Sequence, residues 1–110
     1  MSKRVLKTDP VPLFAALGER TRLIILTTLA DGQAHSITAL ASGFGMSRQA
    51  VTKHLNVLEE AGLLAKDRVG RESRYRLEPG GLDAARDFID RISQHWAAAV
   101  DRLKGLEAHD

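Results

Sequence analysis

The chain has 110 residues, of which 44% are hydrophobic, and its 16 Lys or Arg against 14 Asp or Glu give a formal net charge of +2. This length and composition predict one small domain with a single core, covering residues 1–110. The absence of cysteine excludes disulfides and thiolate chemistry. No apolar run approaches the roughly 18 to 20 residues that span a bilayer, and no apolar signal segment follows the N-terminus, so we expect a cytoplasmic protein without a membrane partner.

Two short helices are predicted in the N-terminal third. Asp9 and Pro10 suit an N-cap and a first helical position, opening a helix over residues 11–17 that stops at Gly18. A second helix is expected over about residues 19–30, with these side chains facing the core: Leu23, Leu26, Thr27, and Leu29 or Ala30. Both helices are interpreted as scaffold.

The middle of the chain has the pattern of a helix-turn-helix unit. A short extended segment at 34–37 is followed by a short helix and a glycine-bearing turn within residues 37–46. Ser47 can cap the next helix, and Gly62 can end it in a left-handed conformation. Two short helices joined by such a turn form the helix-turn-helix motif.

The second helix of this unit has two distinct faces. Val51, Leu55 and Leu58 recur at spacings of four and three residues and form an apolar stripe. The opposite face carries side chains that can bond to base edges and phosphates in a DNA major groove: Arg48, Gln49, Thr52, Lys53 and Asn56. A solvated helix face would show similar residue types, so the neighbouring elements must decide between the two interpretations.

A basic β-hairpin is predicted after this helix. Residues 64–69 and 73–77 alternate in polarity around the turn Gly70-Arg71-Glu72, with outward basic side chains at Lys66, Arg68, Arg74 and Arg76. A helix-turn-helix unit followed by such a hairpin is a winged helix, whose wing lies along the DNA backbone or minor groove. The predicted fold is therefore mainly α with a small β-hairpin wing.

A long amphipathic helix is predicted over residues 80–106. Its apolar positions alternate spacings of three and four, as in a coiled-coil seam: Leu82, Ala85, Ile89, Ile92, Trp96, Ala99, Leu103 and Leu106. A seam of this length favours pairing with a second subunit, whereas packing only within its own domain is the alternative. Residues 1–8 and 107–110 are predicted to be loose ends.

Three motifs in order resemble the ArsR-type winged helix-turn-helix repressors of prokaryotes: residues 13–26 (LFAALGERTRLIIL), residues 47–55 (SRQAVTKHL) with 58–63 (LEEAGL), and residues 70–72 (GRE) with 75–77 (YRL). The resemblance implies a homodimer that binds an imperfect palindrome in promoter DNA and represses its own operon. It places DNA contacts on Ser47, Arg48, Gln49, Thr52 and Lys53, and wing contacts on Arg71 and Arg74.

The same resemblance implies a dimer interface built from the first and last helices, which here assigns Leu13, Phe14, Ile89, Ile92, Trp96, Ala99 and Leu103. His54 matches a common position of the family, and a histidine there is more often a packing or phosphate-side residue than a base reader.

The sensing sites of the family are not recognisable in this chain. Its thiol-based metal site has no counterpart because the chain has no cysteine. Its imidazole and carboxylate site on the last helix would have only His95, with Asp90 and Asp101 at unsuitable spacings. We therefore predict neither a metal nor a cofactor, and the sequence does not identify an effector.

Enzymatic function is not indicated by any motif. The chain lacks a phosphate-binding glycine loop, His-Glu-x-x-His and Gly-x-Ser-x-Gly. The main alternative is a winged helix that serves as a protein-interaction module. Cations lie on both the second helix and the hairpin, at Arg48, Lys53 and Arg71. They favour DNA binding over a protein-interaction role. The sequence thus predicts a sequence-specific DNA-binding transcriptional regulator.

Overall fold

In the computed structural model, residues 9–108 are described, and they contain five helices and a three-stranded antiparallel sheet. The elements in chain order are α1 Val11–Leu17, α2 Arg20–Leu29, β1 His35–Ser36, α3 Ile37–Phe44, α4 Arg48–Glu60, β2 Leu64–Val69, β3 Glu72–Leu77 and α5 Asp83–Ala108. This order confirms the predicted winged helix-turn-helix. The predictions for residues 1–8 and 109–110 lie outside the described residues.

The junction between α1 and α2 is fixed by side chains that satisfy helix ends. The Asp9 carboxylate accepts a hydrogen bond from the Val11 amide at 3.0 Å, and Glu19 caps α2 by accepting from the Arg22 amide at 2.8 Å. The Arg22 guanidinium donates to the carbonyls of Ala16 at 2.8 Å and Ala15 at 3.2 Å. These carbonyls lie in the last turn of α1, where a cation also complements the helix dipole.

Helix α4, the second helix of the helix-turn-helix unit, begins and ends at the predicted residues. The Ser47 hydroxyl accepts a hydrogen bond from the Ala50 amide at 3.1 Å and so caps α4. At the other end Gly62 adopts a φ of +82°, and the amides of Gly62 and Leu63 donate to the carbonyls of Glu59 and Leu58, both at 2.9 Å. This pair of bonds is the Schellman arrangement, which requires a left-handed residue that glycine adopts without strain.

The sheet has the strand order β1-β3-β2. Lys66 pairs with Tyr75, whereas Asp67 pairs with Arg74, and directly opposed residues of an antiparallel pair point to the same face. Lys66 and Arg68 therefore lie on the face of the buried Tyr75, and Arg74 and Arg76 on the other. The four basic residues that were predicted to point outward thus lie on two faces of the sheet, and all four are at least partly exposed.

The core is formed by one side of each helix and the inner face of the sheet. Its buried members are Leu13, Ala16, Ile25, Leu29, Leu40, Ala41, Val51, Leu55, Leu58, Leu63, Leu64, Tyr75 and Ala85. The apolar stripe of α4 is thus confirmed. The inward face predicted for α2 is partly wrong, because Ile25 is buried while Leu23 and Thr27 are exposed. Apolar residues fill positions 23–26 without a gap, so their spacing selects no face.

The last helix differs from the prediction at both ends. It begins at Asp83 and continues through Ala108, so residues 107 and 108 are helical where a loose end was expected. Among its side chains described as far as residue 106, only Ala85 is buried. Phe88, which lies outside the predicted seam, packs edge-on against Phe14 with ring centroids 5.7 Å apart. This contact fastens the N-terminal half of α5 to α1.

Most of the predicted dimer interface is exposed in the single protomer. Ile89, Ile92, Trp96 and Leu103 are exposed, and Ala99 and Phe14 are half-buried. Leu13 differs from these residues, because its side chain is buried in the core of its own protomer. It faces inward on α1 and has little surface left to offer a second subunit.

Candidate nucleic-acid interface

The outer face of α4 presents a compact set of polar side chains. Arg48, Gln49, Lys53 and Asn56 are exposed, while Val51, Leu55 and Leu58 hold the opposite face in the core. A helix anchored in this way is rigid, and its outward groups keep a fixed spacing of one and two turns. That spacing suits contacts to successive base pairs in a major groove.

Two of the predicted contact residues already use their hydroxyl groups within α4. Ser47 accepts from the Ala50 amide, and the half-buried Thr52 donates to the Arg48 carbonyl at 2.6 Å. An oxygen that accepts one hydrogen bond can still take part in another, and the Thr52 methyl group can contact a thymine methyl. The long side chains of Arg48, Gln49 and Lys53 are the ones with polar ends free to reach outward.

A groove of about 510 Å³ lies between α4, the start of α3 and the wing. Arg48 from the first turn of α4 and Arg71 from the wing tip both line it. The remaining lining residues are Ile37, Thr38, Glu72 and Ser73. The structure thus brings together two cations that are far apart in the sequence, and the concave surface between them is suited to an anionic strand.

The basic residues of the wing differ in how their charges are compensated. Arg74 pairs with Glu72 at 2.7 Å, and Arg76 pairs with Asp67 at 2.8 Å. The hydrogen bond to the Asp67 carboxylate raises the pKa of Arg76. Arg71 has no ion-pair partner within residues 9–108. The wing tip therefore offers Arg71 as an uncompensated cation, whereas Arg74 must first leave Glu72.

His54 points away from the recognition face and towards α2. Its Nδ1 lies 3.4 Å from a guanidinium nitrogen of Arg22 and 3.8 Å from a carboxylate oxygen of Glu19. The imidazole is half-buried between the two helices. This position fits the packing role that the sequence favoured over base recognition.

Two lining residues of the groove were missed by sequence reasoning. Thr38 lies in the first turn of α3 and Ser73 near the start of β3, and their side chains border the same groove as Arg48. No local pattern marks either residue, because the groove forms only where three separate segments meet. The pairing of Ser36 with Arg74 brings β1, and α3 after it, to the wing.

The described part of the chain contains no group of three or more His, Asp or Glu residues placed to hold a metal ion. In residues 9–108, no helix has both the length and the apolar character needed to cross a membrane. The site is therefore interpreted from its surface cations and hydrogen-bonding groups.

Residues 17–67 match the family model of a helix-turn-helix domain. The HTH-type transcriptional regulator Rv2034 of Mycobacterium tuberculosis is 36% identical over 92 residues, which cover 84% of this chain and 82% of the relative. The arsenical resistance operon repressor of Escherichia coli is 33% identical over 97 residues, covering 88% of this chain and 80% of the relative.

Solved structures show the same likeness in three dimensions. An ArsR-like transcriptional regulator from Rhodococcus sp. RHA1 gives a TM-score of 0.74 at 38% identity, covering 87% of this chain and 90% of that one. The homodimeric winged helix-turn-helix DNA-binding domain Mb0332 from Mycobacterium bovis gives a TM-score of 0.65 at 29% identity, covering 87% and 83%. The likeness spans the helix-turn-helix unit, the wing and much of the flanking helices.

Proposed function

The chain belongs to the ArsR family of helix-turn-helix transcriptional regulators, and from this premise we propose that it is a homodimeric repressor of a palindromic promoter operator. The observation that carries the proposal is the groove shared by Arg48 of α4 and Arg71 of the wing. In this proposal Arg48 contacts the edge of a base in the major groove, and Arg71 contacts a phosphate of the flanking backbone.

Base recognition is assigned to the outer face of α4. Arg48 can bond to guanine O6 and N7, and Gln49 or Asn56 to adenine. Lys53 and the Ser47 end of the helix would contact phosphates, since a helix N-terminus favours anions. Arg71, with Arg74 as a secondary contact, would hold the flanking backbone and add affinity without sequence preference.

A dimer would place two α4 helices in successive major grooves about 34 Å apart, one turn of the duplex. The exposed apolar side chains of α5 support pairing, because a monomer rarely leaves a row of large apolar residues in water. The Mycobacterium bovis domain is homodimeric by its own description. Phe14 and the exposed seam of α5 are assigned to this interface.

Repression is the expected sign of regulation, because the Escherichia coli relative is an operon repressor. A dimer bound over promoter DNA would exclude RNA polymerase from the same segment. A protein with this activity acts on chromosomal DNA, which in a prokaryote lies in the cytoplasm.

The test is fluorescence anisotropy of labelled DNA from upstream of the gene, with unrelated DNA as competitor and a series of salt concentrations. We expect competitor-resistant binding with two chains per duplex and an affinity that falls with salt as phosphate contacts are screened. Equal and weak binding to all DNA would contradict the proposal and favour the interaction-module alternative.

A further inference from the structure

One polar cluster of the protomer lies outside the DNA-facing groove. It consists of Glu19, Arg22 and His54, at the point where α1, α2 and α4 meet. All three side chains are half-buried. Polar groups that leave water are costly unless they are bonded, so the contacts within this cluster decide what it contributes.

Arg22 is the centre of the cluster and uses all three nitrogens of its guanidinium. Nε donates to the Ala16 carbonyl at 2.8 Å, and one terminal nitrogen donates to the Ala15 carbonyl at 3.2 Å. The other terminal nitrogen lies 3.4 Å from His54 Nδ1. The rigid fork of a guanidinium thus joins the end of α1 to the middle of α4.

The direction of the bond to His54 follows from its donor. A guanidinium has donors only, so Nδ1 accepts and the ring proton is assigned to Nε2. A carboxylate oxygen of Glu19 lies 3.8 Å from the same Nδ1, which is too far for a hydrogen bond. Its negative charge nevertheless lies beside the guanidinium and compensates it.

His54 gives α4 a directional contact with a neighbouring helix. Val51, Leu55 and Leu58 hold α4 in the core, but apolar packing has little directional preference, whereas a hydrogen bond depends on angle. Within residues 9–108, no other side-chain hydrogen bond joins α4 to another helix or strand. The bond from Arg22 is therefore suited to fix the rotation of α4 about its own axis.

We propose that Arg22 and His54 are positioning residues for DNA recognition, which hold α4 at the angle that presents Arg48 and Gln49 to base edges. The inference rests on the DNA binding of the proposed function and adds the contact that orients the reading helix. A bidentate base contact tolerates displacements of only about 0.5 Å or 10–20°. Contacts to phosphates, such as that of Arg71, carry no sequence information and tolerate more.

The same contacts continue to the helices assigned to the subunit interface. Arg22 holds the carbonyls of Ala15 and Ala16, which directly follow Phe14 in α1. Phe14 in turn packs against Phe88 of α5. The angle of α4 is thereby set relative to α1 and α5, and two α4 helices must have a defined relative position to enter two half-sites at once.

The first test compares two substitutions of His54. His54→Leu keeps apolar bulk but has no acceptor, whereas His54→Asn is smaller and keeps an acceptor oxygen near the place of Nδ1. Anisotropy measures the affinity for upstream DNA relative to unrelated DNA. His54→Leu should lower this ratio by about tenfold, the scale of one bidentate base contact, and His54→Asn by less than about threefold. A packing role alone predicts the reverse order.

The second test alters the other end of the contact. Arg22→Lys keeps the charge, but a single ammonium cannot serve the α1 carbonyls and His54 in the same fork geometry. It should lower the ratio as much as His54→Leu does, and the double variant should lower it no further, because both changes remove one shared contact. Arg20→Lys alters an exposed arginine of the same helix and is the control.

Folding and assembly are checked separately from DNA binding. Circular dichroism and sedimentation should show folded dimers for all the variants, and the dependence of affinity on salt should match that of the natural chain. Arg22→Lys changes no residue of α4, so it decides the question even if a substitution within α4 unfolds the chain.

The outcomes separate this inference from the proposed function. A natural chain without preference for its upstream DNA would overturn both. A preference that survives in both His54→Leu and Arg22→Lys would overturn the positioning role and leave the function intact. Equal losses on upstream and unrelated DNA, or effects that multiply in the double variant, would likewise overturn it.

Discussion

Single residues of the interface differ in what they can contribute to DNA binding. Arg48 and Arg71 both line the groove between α4 and the wing, but they belong to different elements. The first is fixed at the start of a helix whose other face is buried, and the second sits at an exposed turn. We therefore expect Arg48 to affect specificity and Arg71 to affect affinity.

Replacing Arg48 by alanine should relax base preference at one position of each half-site. The loss is about 1 to 3 kcal/mol if the contact to guanine is bidentate. Anisotropy on operators with single base changes measures it. Arg91→Ala, which removes an exposed arginine on α5, is the control and should leave base preference unchanged. Unaltered preference in Arg48→Ala would contradict its assignment as a base reader.

Replacing Arg71 by alanine should weaken binding to all sequences alike. Loss of one phosphate contact reduces the slope of log affinity against log salt by about 1. Arg74→Ala serves as the comparison, and its effect should be smaller because Glu72 already compensates the charge of Arg74. If Arg71→Ala changed base preference instead, the roles of helix and wing would have to be exchanged.

Helix α4 owes its boundaries to capping residues that the sequence identified. Ser47 begins α4, and Gly62 ends it with a φ of +82°. The end matters for the site because β2 starts directly afterwards and leads to the wing tip. A displaced helix end would move Arg71 relative to Arg48, so the cap links local backbone geometry to the shape of the groove.

Gly62→Ala should lower the free energy of unfolding by about 1 to 2 kcal/mol, because an alanine is strained in the left-handed region. Gly43→Ala is a matched control in α3, where the added methyl group meets no atom within 4 Å. That variant should be neutral or gain roughly 0.5 kcal/mol. Urea denaturation measures both. A Gly62→Ala protein as stable as the natural chain would contradict the capping argument.

The start of α2 predicts an acid sensitivity. The Arg22 amide, which donates to the Glu19 carboxylate, holds the pKa of Glu19 below its ordinary value of 4.5. A carboxyl group whose pKa is lower in the folded state than in the unfolded state stabilises the fold at pH values above its unfolded-state pKa. This contribution is lost as the pH falls through its folded-state pKa. Stability should therefore decrease below about pH 4.5.

Glu19→Gln should show a smaller loss of unfolding free energy between about pH 7 and about pH 3 than the natural chain, because the amide keeps a capping oxygen but does not titrate. Urea denaturation at the two pH values gives the comparison. Glu60→Gln, at the exposed end of α4, is the control. An identical acid response in both variants would show that the Glu19 cap does not contribute.

The whole molecule is far from spherical. Its radius of gyration is 18.8 Å, and its longest dimension is 67 Å, whereas a compact domain of this length has a radius of about 13 Å. Helix α5 has 26 residues and is therefore about 39 Å long. Only Ala85 among its described side chains is buried, so most of this helix projects beyond the core. A shape of this kind is typical of a subunit that completes its packing with a second one.

Replacing Trp96 or Ile92 by aspartate should give monomers with poor operator affinity, because a carboxylate would be placed in the apolar seam. Gln94→Asp changes an exposed residue between these positions and is the control. Sedimentation measures assembly and anisotropy measures DNA binding. Dimers that persist in both seam variants would place the interface elsewhere.

The sequence by itself determined the order of the elements, the caps of α4, its apolar stripe and the long seam of α5. These features depend on local backbone chemistry and on periodicities of two or 3.6 residues, which are readable within a short window. The three-motif pattern likewise sufficed to indicate the family, to which the chain belongs. The spacing of the α5 seam is also a property of the sequence alone.

Only the tertiary structure decided which surfaces meet. Four features depend on neighbours distant in the chain or on side-chain geometry. They are the buried face of α2, the burial of Leu13, the contact of Phe14 with Phe88 and the pairing of Arg74 with Glu72. Helix α2 shows the reason, since four consecutive apolar residues fit either orientation until the rest of the core selects one. The groove of Arg48 and Arg71 likewise exists only after three segments have packed together.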